Sequence, residues 1–564
     1  MENPTVLVAL SYDTLWDDFD TFDVKALVST IPYKSALKFL IEKLSKVYYS
    51  FGDYKTNKDF IYEYRCYMQN ETQITEKIDK FLIDQPYPVV ITNEGALLFC
   101  QLLLQCGHKT NEERNLTPDE IRSFYKALLY CNKLWLDVQQ NGIQGLNLTL
   151  LSLKIDVPYS EFKYNKDFKP ALYKCRIFLE FCNNNKTLQP YVDEFLKERG
   201  VDSTANYILS LFLPYYDSIQ TWTLSNMNEL YSHFCSNYLV DLNNCANLWD
   251  DKKQGLLYLR NHFLIKLNKD KLLLLNPGLL IDKMYQGLAF DLWNIINKST
   301  INPNTQFKDF PTFRSFLGEN FSEKYLLYNV LQHCFTKDDC VKLSGEELKS
   351  KGVVGEPDFY IREGHNVFLF EYKDILFPDR VKFGGDADNI RSTILDRICK
   401  DNGKVRKGVG QLLETISNIV LKHSMDSIDK QYEEKDLFFP IVVTTDKAYD
   451  SLGVNKVIIE DFPKIIQANH SDIDLKKVHI ALPVIVDLDD LIVLMYKLHT
   501  GELSFKQLVQ EYTKQFSSEN PKDHLPSFSN LVREKLYGLP FTKDENQYIF
   551  QELMRDIENN TKEE

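Results

Sequence analysis

The run GEPDFYIREGHNVFLFEYKD, residues 355–374, decides how this chain folds. Two β-type stretches, 357–362 and 366–372, flank Gly364-His365. Glycine in the first position of a two-residue loop suits a type II′ hairpin turn. With that loop, Glu363 pairs with Asn366, and the register carried back sets Asp358 opposite Glu371. Side chains alternate along a strand, so Glu371 and Lys373 share a face. Asp358, Glu371 and Lys373 therefore converge at one end of the hairpin. Residues 367–370 are apolar on both faces, as in a buried central strand. Phe368, Phe370 and Tyr372 on the alternate face are unlike an exposed edge strand.

Outward from the hairpin, 316–334 reads as a helix, 405–421 as an apolar-periodic helix, and 438–444 and 478–486 as strands. The order helix, strand, strand, strand, helix, strand indicates an α/β domain. Helices follow from about residue 488. The polar, proline-containing stretch 297–311 marks a domain boundary. Before it the chain reads mainly as helices; Tyr33–Tyr49 carries Leu37, Leu40, Ile41, Leu44 and Val47 at helical spacing. Within that half, 262–267 and 271–275 are apolar runs around Asn268-Lys269-Asp270, a hairpin signal. Asn276-Pro277-Gly278 then opens a helix over 279–293. The expected class is α+β multidomain: a mainly helical 1–300 with a β-hairpin near 262–275, a linker 301–313, an α/β core 314–490 and a helical segment 491–564.

The 564 residues are 44% hydrophobic and 26% charged, the proportions of a folded globular chain. A formal charge of −14 argues against coating nucleic acid through bulk charge and leaves room for a local basic cleft. No basic region precedes an apolar run at the start, and no uninterrupted apolar stretch reaches ~18 residues, so a soluble, cytoplasmic protein without a membrane partner is expected. The eleven cysteines contain no CxxC pair and read as buried thiols.

Two carboxylates facing each other across a ladder repel. Beside an apolar strand they also call for compensation. A divalent cation supplies it, because Mg²⁺ takes hard oxygen ligands. Lys373 is placed to hold a water or a phosphate oxygen beside that ion. Such a set is what hydrolysis of a phosphodiester requires.

Pro357-Asp358, a gap of twelve residues and then Glu371-Tyr372-Lys373 resembles the PD-(D/E)xK signature of the restriction-endonuclease-like nuclease superfamily. The order of elements is similar to that family's αβββαβ core, and the resemblance covers roughly residues 314–490. It implies that Asp358 and Glu371 bind Mg²⁺, with Mn²⁺ as a substitute. It also implies that the carbonyl of Tyr372 is a further ligand and that Lys373 positions the attacking water. The family's preceding helix often carries a glutamate; Glu323, in NFSEKYLLYNVL, takes that place, with Glu319 as competitor one turn earlier. Its following helix often carries a glutamine, here Gln411 in KGVGQLLETI. Thr415 stands where one branch of the family has a tyrosine.

Residues 373–407 hold nine basic and six acidic residues in a chain that is acidic overall. Lys404, Arg406 and Lys407, at the start of the Gln411 helix, are the expected phosphate contacts; the alternative is a solvated insertion. The string LRNHFLIKLNKDKLLLLNPGLLIDKMYQGLAFDLW, residues 259–293, resembles proteins of bacterial defence islands. Together these resemblances imply an antiphage effector. Its helical half senses or regulates, and its nuclease half cuts nucleic acid, DNA before RNA. Double-strand cutting in this family implies two active sites, hence a homodimer. The chain has no GxxxxGK[ST], HExxH or GxSxG, which assigns any nucleotide-driven step to a separate ATPase or sensor subunit. The competing reading is a catalytically silent scaffold of the same fold that binds DNA or a partner; the intact Asp, Glu and Lys count against it.

Overall fold

The computed structural model describes residues 8–49, 54–110, 114–140, 142–160, 162, 166–225, 232, 235–250, 252–299, 307–337, 340–429, 433–475 and 477–537. The chain divides into two compact units. One comprises Met1–Asn141, Phe162–Phe168 and Tyr191–Leu292; the other Gly142–Glu161, Lys169–Pro190 and Trp293–Glu564. Two segments of the N-terminal half thus group with the C-terminal unit.

The first unit is mainly helical. Its Tyr33–Tyr49 helix buries Leu37, Leu40, Ile41 and Leu44, the face that the spacing marks. Strands β1 (Val8–Ala9) and β2 (Pro88–Val89) pair in parallel. Strands β3 (Thr223–Ser225), β4 (Leu264–Lys266) and β5 (Lys271–Leu274) form an antiparallel sheet in the order β3-β5-β4. The β4–β5 pair is the hairpin expected near 262–275. The helix expected over 279–293 is instead two, Pro277–Met284 and Gln286–Lys298. Asn276 starts the first by accepting the Gly278 amide at 2.7 Å, and Tyr285 ends it with φ −139° and ψ −65°, outside helical dihedrals.

The second unit is built on a six-stranded mixed sheet. Strands β6 (Val341–Ser344), β7 (Phe359–Glu363) and β8 (Asn366–Lys373) form an antiparallel meander. Strand β9 (Leu437–Thr444) runs parallel to β8, and β10 (His479–Ile480) and β11 (Val484–Asp487) run parallel to β9 on its other side. The single strand expected over 478–486 is split at 481–483. Pro483 lacks an amide hydrogen for the ladder, while Ala481 still donates to the Phe438 carbonyl at 2.8 Å. Strand β6 has no counterpart among the runs picked out by pattern, and it completes the αβββαβ order.

Strand β8 is covered on both faces, which explains its unbroken apolar run. Val367 and Leu369 join the core with Leu412, Leu413, Ile416 and Ile419 of the Val409–Lys422 helix. On the opposite face Phe368 and Phe370 pack against Phe335 and Phe505 at ring-centroid distances of 5.7–6.1 Å. Each aromatic of this kind contributes both buried area and ring-edge contacts.

The helix expected over 316–334 is longer and irregular. It runs Phe310–Leu317, then a π-helical stretch Gly318–Leu327, then Tyr328–Cys334. Asp309 caps its start by accepting the Thr312 amide at 2.8 Å. The helix expected to start at 405 starts at Val409, because Gly408 holds φ +53°. After β11 come the helices Leu488–His499, Phe505–Lys514 and Phe528–Tyr537. Part of the expected linker, 301–306, and the last part of the expected helical segment, 538–564, lie outside the described residues. Among the described residues, no helix is long and apolar enough to cross a membrane.

Candidate active site

Strands β7 and β8 pair Phe359 with Phe370, the register read from the hairpin loop, and Asp358 is the residue just before that ladder. The Tyr372 amide donates to Asp358 Oδ2 at 2.7 Å, which fixes that carboxylate at the strand end. Glu371 is buried, at 2% exposure. Lys373, two residues on and therefore on the same face, donates from Nζ to Glu371 Oε1 at 2.6 Å and to Gln411 Oε1 at 2.8 Å.

Gln411 reaches the lysine because of how its helix begins. Its Oε1 also accepts the Gly408 amide at 2.9 Å, closing the first turn back on the loop. A side chain at Gly408 would run into the Ile398 carbonyl, and the residue already holds positive φ. Only glycine fits both conditions.

Asp374 ties the elements of the site together. Ser322 Oγ donates to its Oδ2 at 2.6 Å, Thr445 Oγ1 donates to its Oδ1 at 3.0 Å, and Arg314 forms an ion pair with it. One buried carboxylate thus joins the π-helical segment to the ends of β8 and β9. Glu323 follows Ser322 in that segment. π-Helical turns re-aim side chains and recur at functional sites.

The electrostatics follow from burial and crowding. Glu371 is pushed up to about 8, first by burial and then by Asp358, with Lys373 pulling the other way. Asp358 is raised by burial, against the Tyr372 amide and Lys373, which lower it. Glu323 is pushed up to about 7 by burial and then by Asp358. Three carboxylates therefore share one lysine, and each resists carrying its charge in this setting.

A cleft of ≈ 590 Å³ opens beside Asp358. Its acidic lining is Glu319, Glu323, Glu346, Glu347, Glu356 and Asp358, with Lys324 and Lys349 as the basic residues. The structure thus brings together Asp358, Glu371, Lys373 and Gln411 by direct or shared contacts, and Glu323 by its coupling to Asp358. Glu319 lines the same cleft and is exposed.

The basic loop is less open than its composition suggests. Arg406 lies 3.4 Å from Asp401 and 3.4 Å from Glu414, so its charge is already met. Lys404 is exposed and Lys407 half-buried. Thr415, at the branch-specific position, donates to the Gly355 carbonyl at 2.8 Å and anchors the loop before Asp358. The roles of Asp374, Ser322 and Thr445 were not legible in the sequence. Adjacency to Lys373 was the one available signal for Asp374.

Among the described residues, no group of three or more His, Cys, Asp or Glu forms a ready metal cluster. The expected donor set is smaller, two carboxylates and a backbone carbonyl. Its oxygen chemistry fits a hard divalent cation, and so do its crowded charges: burial raises both carboxyls, and Asp358 raises Glu371 further. Scans against protein-family models, curated proteins and solved structures return no match.

Proposed function

We propose that this chain is a metal-dependent endonuclease that hydrolyses phosphodiester bonds of nucleic acid, DNA before RNA, in the manner of the PD-(D/E)xK nucleases it resembles. One observation carries the reading: Lys373 bridges Glu371 and Gln411 in a buried strand end where the Tyr372 amide holds Asp358. The αβββαβ order around that strand end supports it.

In this reading Asp358, Glu371 and the Tyr372 carbonyl would hold Mg²⁺ or Mn²⁺, which would supply positive charge for the scissile phosphate and a lowered pKa for the attacking water. Lys373 orients that water, and Gln411 holds the lysine in place. Glu323 is suited to take a proton, since its carboxyl is pushed up to about 7. The acidic cleft mouth keeps a phosphate strand away until cations occupy it. Attack is direct, without a covalent enzyme intermediate.

The biological setting belongs to the same proposal: a cytoplasmic antiphage effector whose helical unit senses or regulates. It acts as a homodimer for double-strand cutting, or with a separate ATPase or sensor subunit. Calorimetric titration of the full chain with Mg²⁺ tests the metal reading. Binding by the wild type that is lost in Asp358→Asn supports it; absence of binding in the wild type contradicts it and favours the silent scaffold.

A further inference from the structure

Residues 349–355, KSKGVVG, join the Gly345–Ser350 helix to the strand end that carries Asp358. The helix closes in a Schellman arrangement: the Gly352 amide donates to the Lys349 carbonyl at 3.0 Å and the Val353 amide to the Leu348 carbonyl at 3.1 Å. Val353 and Leu348 are both buried in the core. Val354, the next residue, is 80% exposed.

A single exposed aliphatic residue is ordinary. This one is held out by dedicated contacts. Asn418 Nδ2 donates to the Val354 carbonyl at 3.1 Å and Thr415 Oγ1 to the Gly355 carbonyl at 2.8 Å. Both side chains are buried, at 6% and 4% exposure, on the helix that carries Gln411. Gly355 holds φ +74°, and a Cβ there would lie 2.8 Å from Asn418 Nδ2, so glycine is what lets the loop seat so closely.

Lysines flank the tip along the chain and on the helix that holds it. Lys349 and Lys351 are exposed. Lys422 donates to Asn418 Oδ1 at 2.7 Å, so the residue that holds the loop also sets this lysine beside it, and the Lys422 side chain stays 67% exposed. Glu414 lies 3.7 Å from Lys422 and 3.4 Å from Arg406, and Lys349 lines the cleft with Glu346, Glu347 and Glu356. Asn418 follows Gln411 by seven residues, roughly 10 Å along the helix axis. That is about three nucleotide steps from the lysine-holding glutamine.

We infer that Lys351, Val354 and Lys422 form a second contact for a DNA strand bound at the Lys373 site: the lysines meet phosphates and Val354 packs against a sugar or base face. The inference rests on the nuclease reading. It assigns strand contact to a patch distinct from the 404–407 loop, where Arg406 is already paired. Apolar tips set among cations are a known physical route to holding a nucleic-acid strand in register.

The test is fluorescence anisotropy of a labelled DNA duplex with the full chain. Ca²⁺ replaces Mg²⁺, and plasmid cleavage in Mg²⁺ is measured in parallel. Val354→Ser should weaken binding about tenfold with an unchanged salt slope, since it removes apolar contact and no charge. Lys351→Gln should lower the salt slope by about one. Neither should change the melting temperature, because both side chains are exposed. If both variants bind like the wild type, the inference is overturned, and continued plasmid cleavage would leave the nuclease reading standing. If the wild type neither binds nor cuts DNA, both fall together.

Discussion

Lys373 Nζ lies 2.6 Å from Glu371 Oε1 and 2.8 Å from Gln411 Oε1, so one lysine joins the central strand of the sheet to the helix that covers it. The pair Lys373–Glu371 is the i, i+2 relation of a single strand face, made useful by burial. Glu371 is 2% exposed, and no bulk water screens its charge.

Stability of the metal-free chain should fall as pH rises. An acid whose folded pKa is raised favours the folded state below its unfolded value and loses that contribution through the folded value. Glu371 at about 8 and Glu323 at about 7, against an ordinary 4.5, set the window between about pH 4.5 and about pH 8. Melting temperature measured across it should decline in EDTA, and Mg²⁺ should reverse the decline at the alkaline end. A flat profile in EDTA would count against the buried carboxylate cluster.

Gln411→Ala leaves two donors, Lys373 Nζ and the Gly408 amide, without their shared acceptor. A loss of about 1–3 kcal/mol is expected from chemical denaturation. The cleavage rate should drop by about 10- to 100-fold at saturating substrate. Gln411→Glu keeps an acceptor and should be the milder change for folding.

Asp374→Ala should be severe for folding, since it strips partners from Arg314, Ser322 and Thr445 together. A cost of about 3–5 kcal/mol follows from breaking a buried charge pair by removing its carboxylate. Urea unfolding measures it. A variant as stable as the wild type would show that the π-helical segment is held by other contacts.

Arg406→Ala should weaken DNA binding less than Lys404→Ala does. The guanidinium already faces Asp401 and Glu414, whereas Lys404 is exposed. Comparing the salt slopes of the two variants checks this, with a change of about one expected for a phosphate-contacting lysine.

Much of the core was legible from a few residues. The Gly364-His365 loop fixed the register, and a fixed register dictates which residues meet. The apolar run 367–370 announced a strand buried on both faces. The β4–β5 hairpin was equally plain from its turn residues. Other features were hidden for physical reasons. Val341–Ser344 is a short edge strand with a mixed pattern, so neither length nor alternation marks it. The π-helical stretch keeps an ordinary helical composition, and its altered bonding leaves no compositional trace. Arg406 and Lys404 look alike in a count of basic residues, and only the fold reveals that one of them is neutralised. The buried clamp around Asp374 joins residues 52 to 71 positions away, beyond any local pattern.

The most direct test of the nuclease claim is incubation of the full chain with plasmid DNA, single-stranded DNA and RNA in Mg²⁺, Mn²⁺ or EDTA, beside Lys373→Ala. The account predicts cutting that requires the metal, favours DNA and disappears in the variant. Cutting that persists in EDTA, or equal cutting by Lys373→Ala, would contradict it.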